Sequence, residues 1–364
     1  MSAPTLAATR FFITGWSTVS PFGIGRDAFV EGLRERRPTA VTPDPQTWRV
    51  PDTTAHLVPD FSIPAELGKK GTRSMDRVTG LAVTAVKQLL AHSAQTGQAP
   101  TGEGAGLVLA TAGGSVQSMM DFTRGGLESE KPYFVDPARF PNAVMNCAAG
   151  ACAIWHQLKG PNATIAGGRA SGLHALRYTQ RLLRAERAHT VVCGGVEEYS
   201  NERSWLEYHT RGTEEEARAL GEGCAVLQIE PHLGDDHDGP TPPEVLTIEF
   251  GVFGDEGPAE VLADCIQRAM DSAGVKPRDV WAVARSEAGG ELGAQESRAV
   301  AQVCGDEHLD LTVPIGDVTG AAPIFQVVGA IVLAEQDPSA SGRVAVITSV
   351  DRDGQAGCAL LRLP

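Results

Sequence analysis

Thr164 to Leu176 has the layout of a catalytic elbow. A short apolar strand runs into the paired glycines Gly167 and Gly168. A tight turn follows, and then a helix that carries Leu173, Leu176, Leu182 and Leu183 at near-helical spacing. Such an elbow lifts its tip residue into a strained, prominent position above a helix N-terminus. A nucleophile placed there would be activated by the positive end of the helix dipole. The tip residue is Arg169. An arginine cannot act as a nucleophile, and its charge opposes the dipole, so it needs a compensating anion.

Other residues with chemical potential read more plainly. Cys147 and Cys152 lie on an alanine-rich stretch with no histidine arranged beside them, which suits buried packing. His232, Asp235, Asp236 and His237 are metal-ligating types, but in a run rich in proline and glycine they read as a solvated charge cluster. His174, on the elbow helix, reads as a packing residue. Gly102-Glu103-Gly104-Ala105-Gly106 precedes its strand instead of following it, so it is not a dinucleotide loop. No metal and no cofactor is expected.

The 364 residues are enough for a large core or two fused halves. A hydrophobic content of 42% is that of a soluble globular protein. The net charge of −14 argues against nucleic-acid or anionic-membrane binding as the main task. The first residues, Met1 to Thr9, lack the basic and then apolar pattern of a signal peptide, and no apolar run is long enough to span a membrane. Seven scattered cysteines, with no Cys-x-x-Cys pair, read as reduced and mostly buried thiols of a cytoplasmic protein.

The elements that position the elbow follow from periodicity. Strands are expected over 10–15, 104–112, 190–196 and 224–230. Helices are expected over 27–36, 76–92 and 142–158, with another after Ser115, which can cap it. Thr39 to Lys70 reads as a long surface loop. After the run 231–243 the pattern begins again: strands over 246–250, 280–284, 311–315, 343–350 and 358–363, and helices over 258–273, 295–303 and 321–333. Both halves read β-α-β-α-β-α-β-β. Strands that are apolar almost throughout belong to sheets covered on both faces. The expected architecture is therefore a five-layer αβαβα sandwich, with an N-terminal half over 1–231, a linker over 232–243 and a C-terminal half over 244–364.

With the elbow and the duplication in hand, the sequence resembles the thiolase-fold β-ketoacyl synthases along nearly its whole length. Ile13-Thr14-Gly15 with Ser20-Pro21 resembles the family's opening strand and loop. Phe140-Pro141-Asn142 and Gly160-Pro161-Asn162 are similar to landmarks before the active-site strand. Ala170-Ser171-Gly172 follows the nucleophile position, Gly194-Gly195-Val196-Glu197 resembles a strand-end motif, and Gly316-Asp317-Val318-Thr319-Gly320-Ala321-Ala322 resembles a Gly-His-x-x-Gly-Ala-Ala segment. A ketosynthase needs a cysteine thiolate, two histidines and a lysine. The resemblance puts Arg169 at the cysteine, Arg285 (or Ser286, one position on) at the first histidine, Thr312 at the lysine and Asp317 at the second histidine. The glycine-rich loop near the C-terminus is replaced by Val350-Asp351-Arg352-Asp353-Gly354. Between Tyr208 and Gly221 the chain is shorter than active synthases, and Glu214-Glu215-Glu216-Ala217-Arg218 bridges the gap.

Four catalytic replacements imply a different role. The resemblance then points to the chain length factor, or ketosynthase β subunit, of a type II polyketide synthase. Such a subunit pairs as a heterodimer with an active ketosynthase and shapes the pocket for the growing chain, with an acyl carrier protein as a further partner. In aromatic-polyketide systems that subunit usually has glutamine where this chain has Arg169, which points to a different branch, such as the subunits that make polyenes or other reduced chains. Asp317 is the expected counter-ion of Arg169, and Arg285 is expected to share it. Met119, Met120, Phe122, Tyr133, Phe134, Val144 and Met145 are the expected tunnel wall, since methionines and aromatics suit an acyl chain. Plain core packing is the alternative for each of them. Two other functions stay open: a structural pseudo-enzyme that never touches substrate, and an acyltransferase with displaced catalytic groups.

Overall fold

The structure is a computed structural model, and it describes residues 9–95, 97, 99–211, 218–231, 241–286, 288–305 and 308–364. The first half contains β1 (Phe12–Ser20), β2 (Gly23–Ile24), α1 (Arg26–Arg34), β3 (Ala40–Val41), β4 (Ala55–His56), α2 (Ile63–Leu67), α3 (Arg77–Gln95) and β5 (Ala105–Thr111). It continues with α4 (Val116–Glu128), α5 (Cys147–His156), β6 (Asn162–Ala166), α6 (Ser171–Arg184), β7 (Thr190–Glu197), α7 (Asn201–Thr210), β8 (Leu220–Gly221) and β9 (Gly223–Glu230). The second half is β10 (Glu244–Val252), α8 (Ala259–Ala273), β11 (Val280–Ala284), α9 (Gly290–Cys304), β12 (Leu309–Asp310), α10 (Ala322–Ala334), β13 (Val344–Asp351) and β14 (Gln355–Arg362).

The duplication is visible in the strand order. One half runs β1-β9-β7-β5-β6 and the other β10-β14-β13-β11-β12. In each, the first two pairings are antiparallel and the last two parallel. The halves join where Phe12 of β1 faces Glu244 of β10. Arg10 clamps that junction, with Nε and Nη2 donating to the Glu244 carboxylate at 2.9 and 2.8 Å.

Three apolar clusters build five layers. On the outer face of the first half, Leu81 and Leu89 of α3 and Cys152 of α5 pack on Leu107, Leu109 and Val226. Between the halves, Leu173 and Leu176 of α6 and Ile324, Phe325 and Val328 of α10 pack with Val108 and Ile347. On the far face, Leu262 and Ile266 of α8 and Val300 of α9 cover Val283 and Leu360. The fully buried β5 shows why its residues are apolar without alternation. Leu107 and Leu109 point to the outer cluster, Val108 and Ala110 to the inner one. The inner helices approach most closely at Gly172, where a Cβ would sit 2.9 Å from the Pro323 side chain.

Several expectations need correction. The first strand does not turn at Gly15; that residue lies at a register shift against β9, and the strand runs on to Ser20. The expected loop over 39–70 holds α2 and two strands of a small β3-β4-β8 sheet, with Ala55 and Val58 buried. The helix expected over 142–158 is only Cys147–His156, because Pro137 and Pro141 shape a 3-10 turn before it. The strand expected over 311–315 is absent. Leu311 makes one bond to the Val283 carbonyl, and Pro314 then offers no N–H to a ladder. The helix α7 was not expected. Ser115 does cap α4, its Oγ accepting the Ser118 N–H at 3.2 Å. Most of the expected linker, and with it His232, Asp235, Asp236 and His237, lies outside the described residues, as do residues 214–217 of the bridging run. All seven cysteines are unpaired and six are buried, Cys152 among them, while Cys147 is half-buried.

Candidate functional site

At the end of β6 the chain crosses Gly167 and enters a 3-10 turn, Gly168–Ala170, before α6. Gly168 has φ +63°, and a Cβ there would fall 1.9 Å from Asp351 Oδ2. Both facts demand glycine. Ser171 braces the turn: its Oγ accepts the Gly167 N–H at 2.9 Å and donates to the Gly168 carbonyl at 2.7 Å. Arg169 is thereby held at the tip, as the sequence predicts.

Its guanidinium is not turned to solvent. Nη1 donates to Asp317 Oδ1 at 2.9 Å and Nη2 donates to Asp317 Oδ2, a two-pronged ion pair. Asp317 Oδ1 also accepts the Thr319 N–H at 2.9 Å. Burial by itself would raise the Asp317 carboxyl. The Arg169 guanidinium in contact, with Arg203 behind it, outweighs burial and holds the carboxyl down at about 2. Arg169 is raised in turn, against burial, by Asp317 and then Asp351.

Asp351 acts on the backbone of the same residue. As the last residue of β13, it accepts the Arg169 N–H through Oδ2. That N–H is the donor an elbow would otherwise offer to a developing oxyanion. Its counterpart in the first half is Glu197, the last residue of β7, which accepts the Ala112 N–H at 2.5 Å. The second half has its own elbow, the 3-10 turn Thr319–Ala321 before α10, and Gly320 there lies against the Glu197 carboxylate. Each long strand thus ends in a carboxylate that abuts the other half's elbow. Burial pushes Glu197 up to about 7, against the pull of Arg203 and the Ala112 N–H. Burial also pushes Glu198 up to about 7, although it accepts the Gln117 N–H at 3.1 Å and the Ser115 hydroxyl.

Arg203, on α7, ties these pieces together from a buried position. Nη1 donates to the carbonyls of Glu198 and Gly221 at 2.6 and 2.8 Å, and Nη2 donates to the Asp317 carbonyl at 2.9 Å. A cleft of about 590 Å³ opens over the site, lined by Arg169, Glu197, Arg203, Asp317 and Asp351. Among the described residues, no cysteine, serine, histidine or lysine lines it. The arginines and carboxylates that line it can bind and orient a polar group.

Of the other degenerate positions, Arg285 and Ser286 line a small pocket of about 30 Å³ together with Arg169 and Asp317, whereas Thr312 does not. Arg285 does not share that carboxylate as expected. Its Nη1 donates to Ser297 Oγ of α9 at 2.7 Å. Ser286 is buried, and its Oγ donates to Glu296 Oε2 at 2.7 Å. Thr312 is exposed and borders a separate hollow beside Ser297, because the chain past Leu309–Asp310 is not a strand directed at the elbow. The seven tunnel candidates lie on α4 and the segment after it. None lines the cleft, and none belongs to a core cluster. Met119, Tyr133, Phe134, Val144 and Met145 are exposed, Tyr133 at 69%; Met120 and Phe122 are half-buried, and Phe122 packs 5.8 Å from Phe140. His174 is a packing residue, stacked 4.0 Å from Phe250. Sequence reasoning missed Asp351, Arg203 and Glu198. A polar residue closing an apolar strand was a usable signal for Asp351, and Glu198 directly follows such a strand end; nothing marked Arg203, because its helix was not foreseen.

Among the described residues, no helix is long and apolar enough to cross a membrane, and no cluster of His, Cys, Asp and Glu is placed to hold a metal ion. The family model for the N-terminal domain of β-ketoacyl synthase matches residues 8–232. A Streptomyces coelicolor protein named as actinorhodin polyketide β-ketoacyl synthase 2 is 28% identical over 330 residues, covering 83% of this chain and 79% of that protein. A solved structure described as the ishigamide ketosynthase/chain length factor is 38% identical, with a TM-score of 0.90, covering 97% of this chain and 99% of the other. A structure described as AntDE:AntF, a type II PKS acyl-carrier protein in complex with its ketosynthase, shares the fold at 18% identity and a TM-score of 0.78, over 98% of this chain and 100% of the other. Elbow, duplicated sheet, domain match and 38% identity agree: the chain belongs to the β-ketoacyl synthase family.

Proposed function

We propose that this chain is a non-catalytic, chain length factor-like subunit that pairs with an active ketosynthase and helps shape the tunnel receiving its acyl chain. The observation that carries the reading is the occupied elbow. Asp317 neutralises the Arg169 guanidinium where a thiolate would stand, and Asp351 takes the backbone N–H that an oxyanion would need. Similarity to a structure described as a ketosynthase/chain length factor supports the role. An acyl carrier protein is then a further partner, reached mainly through the ketosynthase. The two halves, 1–231 and 244–364, act as one body in this role, without separate activities.

The surface also supports a partner. β6 pairs only with β5, so its other edge is open among the described residues. Tyr133, Phe134, Phe140, Met145 and Ile154 are also exposed on the surface. An open edge and exposed aromatics are liabilities unless another chain covers them. Co-expression with an active type II ketosynthase is expected to yield a one-to-one complex by native mass determination. A self-sufficient homodimer that ignores the ketosynthase would overturn the reading. Within the complex, Met120→Trp or Val144→Trp is expected to shorten the product. Unchanged product length with the complex intact would instead favour a purely structural subunit.

A further inference from the structure

The helix α6 carries Arg177, Arg181 and Arg184 at i, i+4 and i+7, one exposed row on a helix whose other residues are mostly buried. The chain has a net charge of −14, yet no carboxylate pairs with any of the three among the described residues. Arg177 and Arg184 rest over the rings of Phe250 and Phe11, at 5.4 and 5.1 Å from the centroids, so their stems are held while the row faces outward. The row borders a groove of about 700 Å³ whose other wall includes Ile165 and Ala166 of β6. A neighbouring hollow takes Arg181 and Arg187 to Pro161, just before β6. No Asp or Glu lines either one. The arginine row and the open β6 edge are therefore one continuous margin of the molecule.

We propose that this arginine row selects the partner: it recognises carboxylates on the facing margin of the ketosynthase subunit and opposes pairing of two copies of this chain. The inference rests on the proposed function, since it takes the partner to be a ketosynthase that meets β6. The unpaired positive charge of the row and its continuity with the open β6 edge argue for that occupant. A two-fold that paired β6 with its own copy would also bring α6 beside its copy, because both share this margin. Two arginine rows would then meet with no carboxylate between them, a repulsive arrangement that a heterotypic partner avoids.

The test is association of the full-length chain with the active type II ketosynthase used in the co-expression, measured by analytical ultracentrifugation. The wild-type affinity is expected to fall as salt rises from about 0.15 M to roughly 0.5 M. The triple variant Arg177→Glu, Arg181→Glu, Arg184→Glu is expected to bind roughly ten-fold more weakly or worse. Near-UV circular dichroism of the variant alone should match the wild type; if the triple variant does not fold, Arg181→Glu by itself serves, with a smaller loss. A folded variant that binds as tightly as wild type would overturn the arginine-row inference and leave the proposed function standing. A wild-type chain that binds no ketosynthase would overturn the proposed function itself.

Discussion

Asp317→Ala is expected to destabilise the protein by about 3–5 kcal/mol, read as a lower unfolding midpoint in urea. The cost comes less from the lost attraction than from what is left behind. Arg169 is one-fifth exposed and cannot be deprotonated, so its guanidinium would remain in a largely buried site with one of its anions gone. The Thr319 N–H would also lose its acceptor, and Thr319 already sits at φ +32°, a conformation that needs support. The double variant Arg169→Met, Asp317→Asn removes both charges at nearly constant volume and keeps an oxygen that can accept the Thr319 N–H, so it is expected to recover to within about 1–2 kcal/mol of the parent. If Asp317→Ala costs less than ~1 kcal/mol, the pair is solvated and the account of a filled elbow fails. The acid limb follows in sign. The folded carboxyl lies near 2 and the unfolded one near 3.8, so its contribution is present above 3.8 and is lost as pH falls through 2. By linkage it amounts to about 2 kcal/mol.

Stability is expected to fall as pH rises from about 5 to 8, and Glu197→Gln with Glu198→Gln is expected to remove most of that fall. Both carboxyls are buried and raised from 4.5 to about 7. A raised acid favours the folded state below its unfolded value, and the benefit is lost as pH passes through the folded value. The effect is on the order of 3 kcal/mol for each group if the full shift is realised. Glutamine keeps an oxygen that can accept the Ala112 or Gln117 N–H, so the substitutions remove titration more than packing. Thermal midpoints across this range decide the matter; an unchanged slope in the double variant would show that these carboxyls titrate near their ordinary value.

Much of this was legible in the chain. Helix and strand positions in the core followed from periodicity because those elements bury one face or both, and burial writes its period into the residue types. The repetition of β-α-β-α-β-α-β-β led to the layered sandwich for the same reason. The need of Arg169 for an anion was also readable, since a cation at a helix N-terminus cannot stand alone. Its pairing with Asp317, 148 positions away, was expected from matching the two residues to neighbouring family positions. Tertiary structure decided what local pattern could not carry. Asp351 reaches the Arg169 N–H across 182 positions because the end of β13 crosses to the other half's elbow. Arg285 lines a pocket with Asp317 yet donates to Ser297 of α9, a choice set by side-chain packing that spacing in the chain does not encode. Tyr133 and Phe134 proved exposed, although they read as tunnel wall or, failing that, core. The arginine row of α6 was in plain view as residues; only the packing of α6 at the margin beside β6 gave it a direction.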